Sequence, residues 1–527
     1  MEKIKKTIII GGVAGGASCA ARLRRLNEFD QIVMIERGPY ISFANCGLPY
    51  HISGVIENKS DLVVTSVDDF SQRFSVDTRI YTEAVSIDRN LKSVKLKNLI
   101  TGEIYSEEYD FLVLSPGAEP IRPNIPGSNL DNIFVLRNIP NLEKIMSKLQ
   151  SGLVKHVSVI GAGFIGLEVS ENLVERGLKV SLIEKSPQVM PLMDSEISNF
   201  IQTELSEHGV QVFTSTEITK IEKHFEQLQL TDDKGNKINT DLVLFCIGIK
   251  PEIQLAQDAG LKIGAFGGIQ VDKSFRTEDP FIFAVGDAIE TFDKKNKFTL
   301  RLPLAGPANR QGRIVAENIC GQKIEYKGTL GTSIVKIFSL SAGSVGLTEK
   351  SALRLGINYQ AVWVESKSHA SYYPGSVPLI IKVLFSPENG ELLGAQAIGK
   401  KGVDKRIDVL ATAIYGNFTV YDLESLDLAY APSFSSAKDP VNMVGMVASN
   451  ILKGLHPSVR LEDVQSELDK GALLLDVREP QEFKMGCLPN AQSIPLSQLR
   501  KEINKILLIL TFFMNIKKVF ISENENF

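Results

Sequence analysis

The first half of the chain repeats one order of apolar and glycine-rich segments. An apolar run at residues 7–10 leads into a glycine turn at 11–16, a stretch with helical periodicity at 17–26, and a second apolar run at 31–35. The order strand, glycine turn, helix, strand and terminal acid predicts a dinucleotide-binding βαβ unit. The alternative is a plain tight turn, since Val13 stands where the usual pattern has its middle glycine.

The chemistry of such a unit follows from its geometry. Glycines let the backbone approach a pyrophosphate, the helix N-terminus supplies amide donors, and an acid at the end of the second strand accepts hydrogen bonds from ribose hydroxyls. The residues that we expect to contact the dinucleotide here are Gly11, Ala14, Gly15, Gly16, Glu36 and Arg37.

The same order recurs at residues 156–184, with a full G-x-G-x-x-G turn at 161–166. Two such units indicate two dinucleotides, one FAD and the other a nicotinamide cofactor. Glu184 would bond the ribose 2′- and 3′-hydroxyls and repel a 2′-phosphate, which favours NADH over NADPH, although an acid merely exposed at a strand end is the alternative. The expected contacts are Gly161, Gly163, Phe164, Ile165, Gly166 and Glu184.

Three further strand ends carry candidate cofactor contacts. Apolar strands run into glycine turns at Gly117 and at Gly248, where the chain leaves one nucleotide domain for the next. A buried strand and a tight glycine turn deliver Asp287, whose carboxylate would accept a hydrogen bond from a flavin ribityl hydroxyl. A simple helix cap is the alternative for Asp287.

A single thiol follows the first unit. Cys46 lies in the segment 42–51, and the place of a second thiol in a Cys-x-x-x-x-Cys pair is taken by His51. The disulfide partner must then come from outside, so the intermediate is a cysteine sulfenate or a mixed disulfide with a small thiol. Residues 47–49 fit a first helical turn, and we expect the helix N-terminus to favour the thiolate. Otherwise Cys46 is a small buried hydrophobe.

The amino-acid composition limits the binding partners and the cellular compartment that we expect for this protein. The 527 residues predict several domains, and 58 basic against 62 acidic residues leave a net charge of −4, without general attraction to nucleic acid or anionic membrane. The longest apolar run near the C-terminus, residues 506–513, is shorter than the roughly 20 residues of a membrane span. We expect a cytoplasmic protein without a metal site, because its cysteines lack paired spacing. They are Cys19, Cys46, Cys246, Cys320 and Cys487.

Together these motifs resemble the single-cysteine flavoprotein disulfide reductases of the pyridine nucleotide-disulfide oxidoreductase family. The paired nucleotide units, the Ala-Val-Gly-Asp segment ending at Asp287 and the Ser-Phe-x-x-Cys-Gly-x-Pro-Tyr segment at 42–50 carry the resemblance, which spans about residues 5–450. It implies an α/β fold with two Rossmann-like domains and an α+β dimerisation domain. The implied bounds are 1–120 and 250–325 for the FAD domain, 121–249 for the NAD(P)H domain and 326–450 for the dimerisation domain.

The resemblance also implies a homodimer with a shared active site. In it, Tyr372 and Tyr430 would reach the partner's Cys46 and protonate a departing thiolate, whereas the alternative is that they pack at the interface for their area. The nicotinamide would lie near Phe164 and Glu168 on one flavin face.

The segment around Cys46 looks most like the branch that reduces coenzyme A disulfide. Arg22 and Arg25, spaced i, i+3 on the first helix, would hold the 3′-phospho-ADP end, and Ser42 and Asn45 would bond the pantetheine arm. Each arginine alone is more often a solvated surface residue. The acceptor stays open among coenzyme A disulfide, a persulfide and a polysulfide. Rival interpretations are an NADH oxidase or peroxidase with a Cys46 sulfenate, and a flavin-bound redox sensor.

Residues 451–527 form a separate module. The stretches 472–483 and 486–491 resemble the opening of a rhodanese domain, but no cysteine follows Cys487, and the persulfide-cradling loop of a rhodanese is missing. Cys487 stands where that family usually has histidine, so we do not expect it to carry sulfur. We expect a truncated α/β half domain that neither folds alone nor transfers sulfur.

Overall fold

The computed structural model describes residues 4–455, 459, 463–502 and 519–522, the last four by backbone alone. The chain divides into two compact units, Met1–Ser449 and Asn450–Phe527. Within the described residues, no helix is both long and apolar enough to cross a membrane.

The first unit begins with a nucleotide-binding region and an antiparallel sheet. Its elements are β1 (Lys6–Ile10), α1 (Ala14–Leu26), β2 (Gln31–Ile35), α2 (Leu48–Ser53), α3 (Val67–Phe74), β3 (Asp77–Arg79), β4 (Thr82–Asp88), β5 (Ser93–Asn98), β6 (Ile104–Glu108), β7 (Phe111–Leu114) and β8 (Ala118–Pro120).

A second nucleotide-binding region follows. Its elements are β9 (Ile133–Phe134), α4 (Ile139–Gln150), β10 (His156–Ile160), α5 (Phe164–Glu175), β11 (Lys179–Ile183), α6 (Ser195–Glu207), β12 (Gln211–Phe213), β13 (Ile218–His224), β14 (Gln227–Asp232), β15 (Lys237–Thr240), β16 (Leu242–Phe245) and β17 (Ile249–Pro251). The chain then returns to the first region through α7 (Gln254–Asp258), β18 (Ile282–Ala284), β19 (Thr291–Phe292), β20 (Thr299–Leu300) and α8 (Ala305–Ile319).

Two parallel five-stranded sheets are the frame of this part. Their strand orders are β18-β7-β1-β2-β3 and β12-β11-β10-β16-β9, while β8 pairs with β17 where the chain passes between them. Helices cover both faces of such sheets, which is why the central strands are continuous apolar runs. Ile8 and Val159 are fully buried. The two expected Rossmann-like domains are therefore present, while their exact bounds stay predictions.

Glycines set how closely the first helix approaches its neighbours. A Cβ added to Gly16 would collide with the carbonyl oxygen of Gly11, so α1 starts directly above the end of β1. A Cβ added to Gly312 of α8 would collide with the carbonyl oxygen of Gly15, so α1 and α8 pack backbone to backbone. This packing brings β18 and the turn after it to the first glycine loop.

The third part of this unit is the expected α+β domain. Its elements are β21 (Ser333–Ile337), β22 (Leu340–Gly346), α9 (Glu349–Leu355), β23 (Gln360–Lys367), β24 (Pro378–Phe385), β25 (Leu392–Gly399), α10 (Val403–Tyr415), α11 (Val420–Ser425) and α12 (Pro440–Leu452). The strands form one antiparallel sheet in the order β21-β22-β25-β24-β23, and α10 packs on β22 and β25.

A buried ion cluster joins this domain to the second nucleotide-binding region. Lys382 of β24 is fully buried, and its ammonium lies 3.0 Å from Asp194 Oδ2, 3.2 Å from Glu196 Oε1, and against Glu349. Burial opposes the charge, but the three carboxylates hold the pKa of Lys382 above its usual value. Removing one partner of a buried ion pair costs about 3–5 kcal/mol. The cluster therefore ties β24 to the start of α6 in the second nucleotide-binding region.

The second unit contains α13 (Val464–Asp469), β26 (Leu473–Asp476), α14 (Pro480–Met485), β27 (Gln492–Ser493) and β28 (Val519–Ser522). The three strands are parallel in the order β27-β26-β28. Asp476 Oδ2 lies 2.6 Å from Arg478 Nη2, and Cys487 is exposed. The apolar run 506–513 lies outside the described residues, and the expectation that this module does not fold alone stays a prediction.

Candidate active site

One cavity of about 3120 Å³ connects both glycine loops with Cys46. Most of the residues singled out from the sequence line it, while Gly16 and Gly166 lie below the loops, where they let the helices approach the strands. The expected site residues that line this cavity are Gly11, Ala14, Gly15, Glu36, Arg37, Ser42, Asn45, Cys46, Gly117, Gly161, Gly163, Phe164, Ile165, Glu184, Gly248 and Asp287.

The conformation of the first glycine loop, residues 11–16, depends on its glycines and on Glu36. Gly11 has φ +98°, and a Cβ there would collide with the carbonyl oxygen of Ser115. Glu36 accepts hydrogen bonds from the amides of Gly12 (3.0 Å) and Gly38 (2.8 Å), which fixes its carboxylate beside the loop. This bare backbone with an acid at its edge fits the pyrophosphate and ribose of FAD.

The second loop repeats the arrangement in detail. Gly161 has φ +102°, and a Cβ there would collide with the backbone of Cys246. Glu184 accepts hydrogen bonds from the amides of Ala162 (2.7 Å) and Ser186 (2.8 Å). The loop fits a second dinucleotide, and the preference for NADH that Glu184 indicates stays a prediction.

Asp287 lies in a tight turn, Gly286–Ala288, at the end of β18. Burial raises the pKa of its carboxyl group, and the positive charge of Arg137 opposes this shift. The amide of Gly286 donates to Gln311 Oε1 at 2.7 Å, which ties the turn to α8. Asp287 therefore faces the cavity, as a ribityl contact requires.

Cys46 lies in a 3-10 turn, Asn45–Gly47, immediately before α2. Its sulfur is open to the cavity, yet burial raises the thiol pKa, as do the negative charges of Glu168 and Asp287. A backbone hydrogen bond at Cys46 lowers the pKa but does not compensate. The pKa of Cys46 is raised overall by burial and by the two carboxylates, so the expectation that the helix N-terminus favours the thiolate stays a prediction.

Glu168 is the most perturbed carboxyl group near Cys46. Burial raises its pKa to about 7, a nearby Glu171 adds to the shift, and a hydrogen bond from Tyr50 opposes it. The Tyr50 hydroxyl lies 3.4 Å from Glu168 Oε1, and Ser53 Oγ donates to Asn172 Oδ1 at 2.6 Å. These contacts join α2, which follows Cys46, to α5 of the second nucleotide-binding region.

Tyr372 and Tyr430 lie together but not beside Cys46 of the same chain. Their hydroxyl oxygens are 2.9 Å apart, and the residues are 74% and 47% exposed. The hydrogen bond between the two hydroxyl groups raises the pKa of Tyr372. Neither tyrosine lines the cavity that contains Cys46. Their approach to a partner's Cys46 stays a prediction, with which their exposure agrees.

Three arginines surround a smaller pocket of about 340 Å³ that shares Ser42 with the main cavity. They are Arg22, Arg25 and Arg313. Arg22 Nη2 donates to Glu317 Oε1 at 2.7 Å, and Arg313 Nη2 lies 3.2 Å from the same oxygen. Arg25 instead stacks over the Phe74 ring, with its guanidinium carbon 5.2 Å from the ring centre. The pocket therefore carries a positive charge excess. Asn45 Nδ2 donates to the carbonyl oxygen of Arg137 at 3.4 Å.

Family models match almost the whole chain. Residues 5–312 match the model described as "Pyridine nucleotide-disulphide oxidoreductase", and residues 332–440 match the dimerisation domain of the same group. This chain belongs to the pyridine nucleotide-disulphide oxidoreductases. Members of this family use FAD and a pyridine nucleotide, and the two glycine loops are suited to them. Residues 460–524 match a rhodanese-like domain.

Relatives of this oxidoreductase include a coenzyme A disulfide reductase and a persulfide reductase. The coenzyme A disulfide reductase of Staphylococcus haemolyticus is 36% identical over 449 residues, which is 85% of this chain and 100% of that protein. The crystal structure of reduced Bacillus anthracis CoADR-RHD shares 45% identity over 99% of this chain and 92% of its own, with a TM-score of 0.95. A NAD-dependent persulfide reductase from A. fulgidus shares 34% identity over 98% of both chains, with a TM-score of 0.90.

Some site residues of this oxidoreductase were missed by the sequence reasoning. Arg137 and Arg313 come from segments without a motif, and only folding brings Arg137 to the cavity and Arg313 to the arginine pocket. Tyr50 belongs to the motif at 42–50, but its contact with Glu168 was not expected. A signal existed for Tyr50, which lies four residues after Cys46 and thus one helical turn away. Arg313 has no such signal.

Proposed function

We propose that this oxidoreductase takes electrons from NADH, or NADPH, and uses Cys46 to reduce coenzyme A disulfide or coenzyme A persulfide. One observation carries the proposal: the Cys46 thiol opens into the cavity of both glycine loops, and the arginine pocket meets this cavity at Ser42. A thiol, two dinucleotide sites and a cationic site for phosphates are what this reaction needs. The full-length similarity to coenzyme A disulfide reductase supports the substrate.

The chain's own groups would hold the two cofactors in place. FAD would lie along the first glycine loop, with Glu36 at its ribose and Asp287 at its ribityl chain, and the nicotinamide cofactor along the second, with Glu184 at its ribose. When bound, FAD supplies a two-electron carrier between the nicotinamide and a disulfide. Phe164 and Glu168 line the cavity between the second loop and Cys46.

The sulfur chemistry balances without a further oxidant. The Cys46 thiolate attacks one sulfur of coenzyme A disulfide, whose S–S bond breaks as a Cys46–coenzyme A disulfide forms. The first coenzyme A leaves as a thiolate and takes up a proton. Two electrons that originate from NADH then break the mixed disulfide, which releases the second coenzyme A and restores the Cys46 thiolate.

The leaving thiolate needs a proton donor, and we assign this role to the Tyr372–Tyr430 pair of the other subunit of a homodimer. The dimerisation domain, the exposure of both rings and the hydrogen bond between their hydroxyls support the assignment. Phenols with pKa values near 10 can protonate a departing thiolate at neutral pH.

The substrate's phosphates would lie in the arginine pocket. Among the residues that the structure describes, Arg25 has no carboxylate partner, whereas Glu317 binds both Arg22 and Arg313. Arg25 is therefore the cation best placed for a phosphate. Ser42 and Asn45 flank the path from this pocket to Cys46 and would bond the pantetheine arm. We also expect the enzyme to act in the cytoplasm, where NADH and reduced thiols are maintained.

Persulfide reduction is the second candidate. It is favoured by the similarity to a NAD-dependent persulfide reductase along both full chains and by the rhodanese-like match at residues 460–524. In that reaction the Cys46 thiolate attacks the inner sulfur of coenzyme A persulfide and releases sulfide, and the same mixed disulfide remains.

Mass spectrometry of the native protein tests the proposal directly. We expect a covalent adduct of coenzyme A mass on Cys46. Comparing kcat/KM for coenzyme A disulfide, coenzyme A persulfide and polysulfide then ranks the acceptors. NADH loss matched by oxygen consumption, with Cys46 found as a sulfenate and no disulfide turnover, would instead establish an oxidase. Negligible turnover with every acceptor, together with partner binding that depends on flavin redox state, would establish a redox sensor.

A further inference from the structure

We infer that Arg406 is a positioning residue that fixes the spacing of the two loops carrying Tyr372 and Tyr430. The inference rests on the proposed function of these tyrosines and adds a residue remote from the reacting sulfur. We call residues 368–376 the first tyrosine loop and residues 427–435 the second tyrosine loop. Arg406 lies on α10, between the two loops, and is 1% exposed.

The guanidinium group of Arg406 binds both loops at once. Its Nη2 donates to the carbonyl oxygen of Ser368 at 3.1 Å and to Ser435 Oγ at 3.2 Å. The same nitrogen lies 2.9 Å from Asp439 Oδ2, and Nε donates to Asp439 Oδ1 at 3.3 Å. One planar cation therefore joins the start of the first loop, the end of the second loop and the start of α12.

The loops are also joined to each other directly above this cation. The amide of Ala370 in the first loop donates to the carbonyl oxygen of Ser435 in the second loop at 3.1 Å. Within the second loop, the amide of Ser435 donates to the carbonyl oxygen of Ala431 at 3.1 Å. Tyr372 and Tyr430 therefore each lie a few residues from a backbone group that Arg406 holds. A displacement of one loop relative to the other would separate their hydroxyls, which are 2.9 Å apart.

The positive charge of Arg406 is paired with the buried carboxylate of Asp439. Burial disfavours the Asp439 carboxylate, but hydrogen bonds from Arg406 and Ser435 hold the pKa of Asp439 below its usual value. Asp439 Oδ1 also accepts from the amide of Val441 at 3.0 Å, so the carboxylate is fixed by α12. The phenol rings are exposed, so their hydrogen bond depends on the loops below them rather than on packing.

The test separates the two half-reactions of the holoenzyme by rapid mixing. In Arg406→Lys, which keeps the charge but loses the planar set of donors, we expect reduction of the flavin by NADH to be unchanged. Reoxidation by coenzyme A disulfide should slow about 10- to 100-fold, as misplaced catalytic groups do. Ser435→Ala removes the hydroxyl that accepts from Arg406 and donates to Asp439 but keeps the Arg406–Asp439 ion pair, so it should slow the same half-reaction less.

Lys405→Met is the matched control, because Lys405 Nζ lies 3.6 Å from the same Asp439 Oδ2 but comes from the partly exposed side. It should leave both half-reactions unchanged. If Arg406→Lys slows both half-reactions equally, or slows reoxidation just as much when Tyr372 and Tyr430 are already phenylalanine, the inference is overturned.

Hydrogen exchange distinguishes this result from a failure of the proposed function. Exchange in both tyrosine loops should rise together in Arg406→Lys and not in Lys405→Met, whether or not coenzyme A disulfide proves to be the acceptor. Unchanged exchange in either loop would overturn the positioning role, whereas raised exchange with no wild-type disulfide turnover would overturn only the proposed function.

Discussion

The Cys46 thiol and the Tyr372 hydroxyl, which the proposed reaction brings together, lie in contrasting surroundings. Cys46 opens into a cavity within one chain, where burial and the charges of Glu168 and Asp287 raise its pKa. Tyr372 is 74% exposed and bonds a second phenol, while the buried group that holds its loop, Arg406, lies underneath. One chain therefore sets the reactivity of the thiol, whereas the proposed reaction requires the tyrosines to reach the thiol of a second subunit. Removing the thiol should abolish the reaction, whereas removing the tyrosine hydroxyls should slow it.

The largest effect should come from Cys46→Ser. Without the sulfur no mixed disulfide forms, so turnover of coenzyme A disulfide should fall at least about 1000-fold, as it does when a nucleophile is removed. Flavin absorbance and NADH oxidation by an artificial one-electron acceptor should persist. Cys246→Ser is the control, since Cys246 also lines the cavity but lies against the second glycine loop. Retained disulfide turnover in Cys46→Ser would exclude the proposed mechanism.

The tyrosine side should give a smaller loss. The double variant Tyr372→Phe/Tyr430→Phe removes both hydroxyls and keeps the rings, so we expect kcat for coenzyme A disulfide to fall about 100-fold, the size of a lost general acid. Stopped-flow measurement should find flavin reduction by NADH unaffected. Tyr373→Phe is the matched control, because Tyr373 is a neighbouring, 45% exposed phenol that packs edge-on against His369. An equal loss in the control would assign the effect to the interface.

On the thiol side, the sequence predicted the strands around Cys46 but not the pKa shift of the thiol. The predicted bounds of the apolar run at 31–35 are confirmed by the strand Gln31–Ile35, because buried parallel strands are uninterrupted apolar runs. The helix predicted over 17–26 begins earlier, at Ala14, since the last part of the glycine loop is already helical. The raised pKa of Cys46 was not predictable, because it comes from burial in the folded chain and from carboxylates that are distant in sequence.

The tyrosine side was predicted only through resemblance. The two tyrosines could be named, but the hydrogen bond between them and its support by Arg406 depend on a domain whose sequence has no nucleotide motif. Likewise, Arg22 and Arg25 were chosen from their spacing on the first helix. The other charged groups at this pocket, Arg313 and Glu317, come from α8. Contacts between elements that are far apart in the chain produce no local sequence pattern from which they could be predicted.

A substrate comparison tests the arginine pocket. Arg25→Met should raise KM for coenzyme A disulfide about tenfold, because a charge-assisted contact to a phosphate contributes about 1.5–3 kcal/mol. Pantethine, the disulfide that lacks the phospho-ADP ends, should be reduced equally by both proteins. Arg73→Met is the control, since Arg73 also stacks on Phe74 at 5.2 Å. A matching rise in KM for pantethine would show that Arg25 acts through the fold.

The smallest effect should appear in the pH dependence of Cys46 alkylation. Burial raises the pKa of Glu168 to about 7, so its carboxylate is ionised above about pH 7 and gains a proton as the pH falls. That negative charge raises the pKa of Cys46, and Glu168→Gln removes it. Iodoacetamide labelling followed by mass spectrometry should therefore be about threefold faster in the variant above pH 7, where more Cys46 is thiolate, and equal to wild type below pH 6. Glu175→Gln removes the same charge from an exposed position of α5 and should match wild type throughout. A uniform change across pH would mean that Glu168 acts by packing and not through its charge, and the thiol would then owe its raised pKa to burial and Asp287.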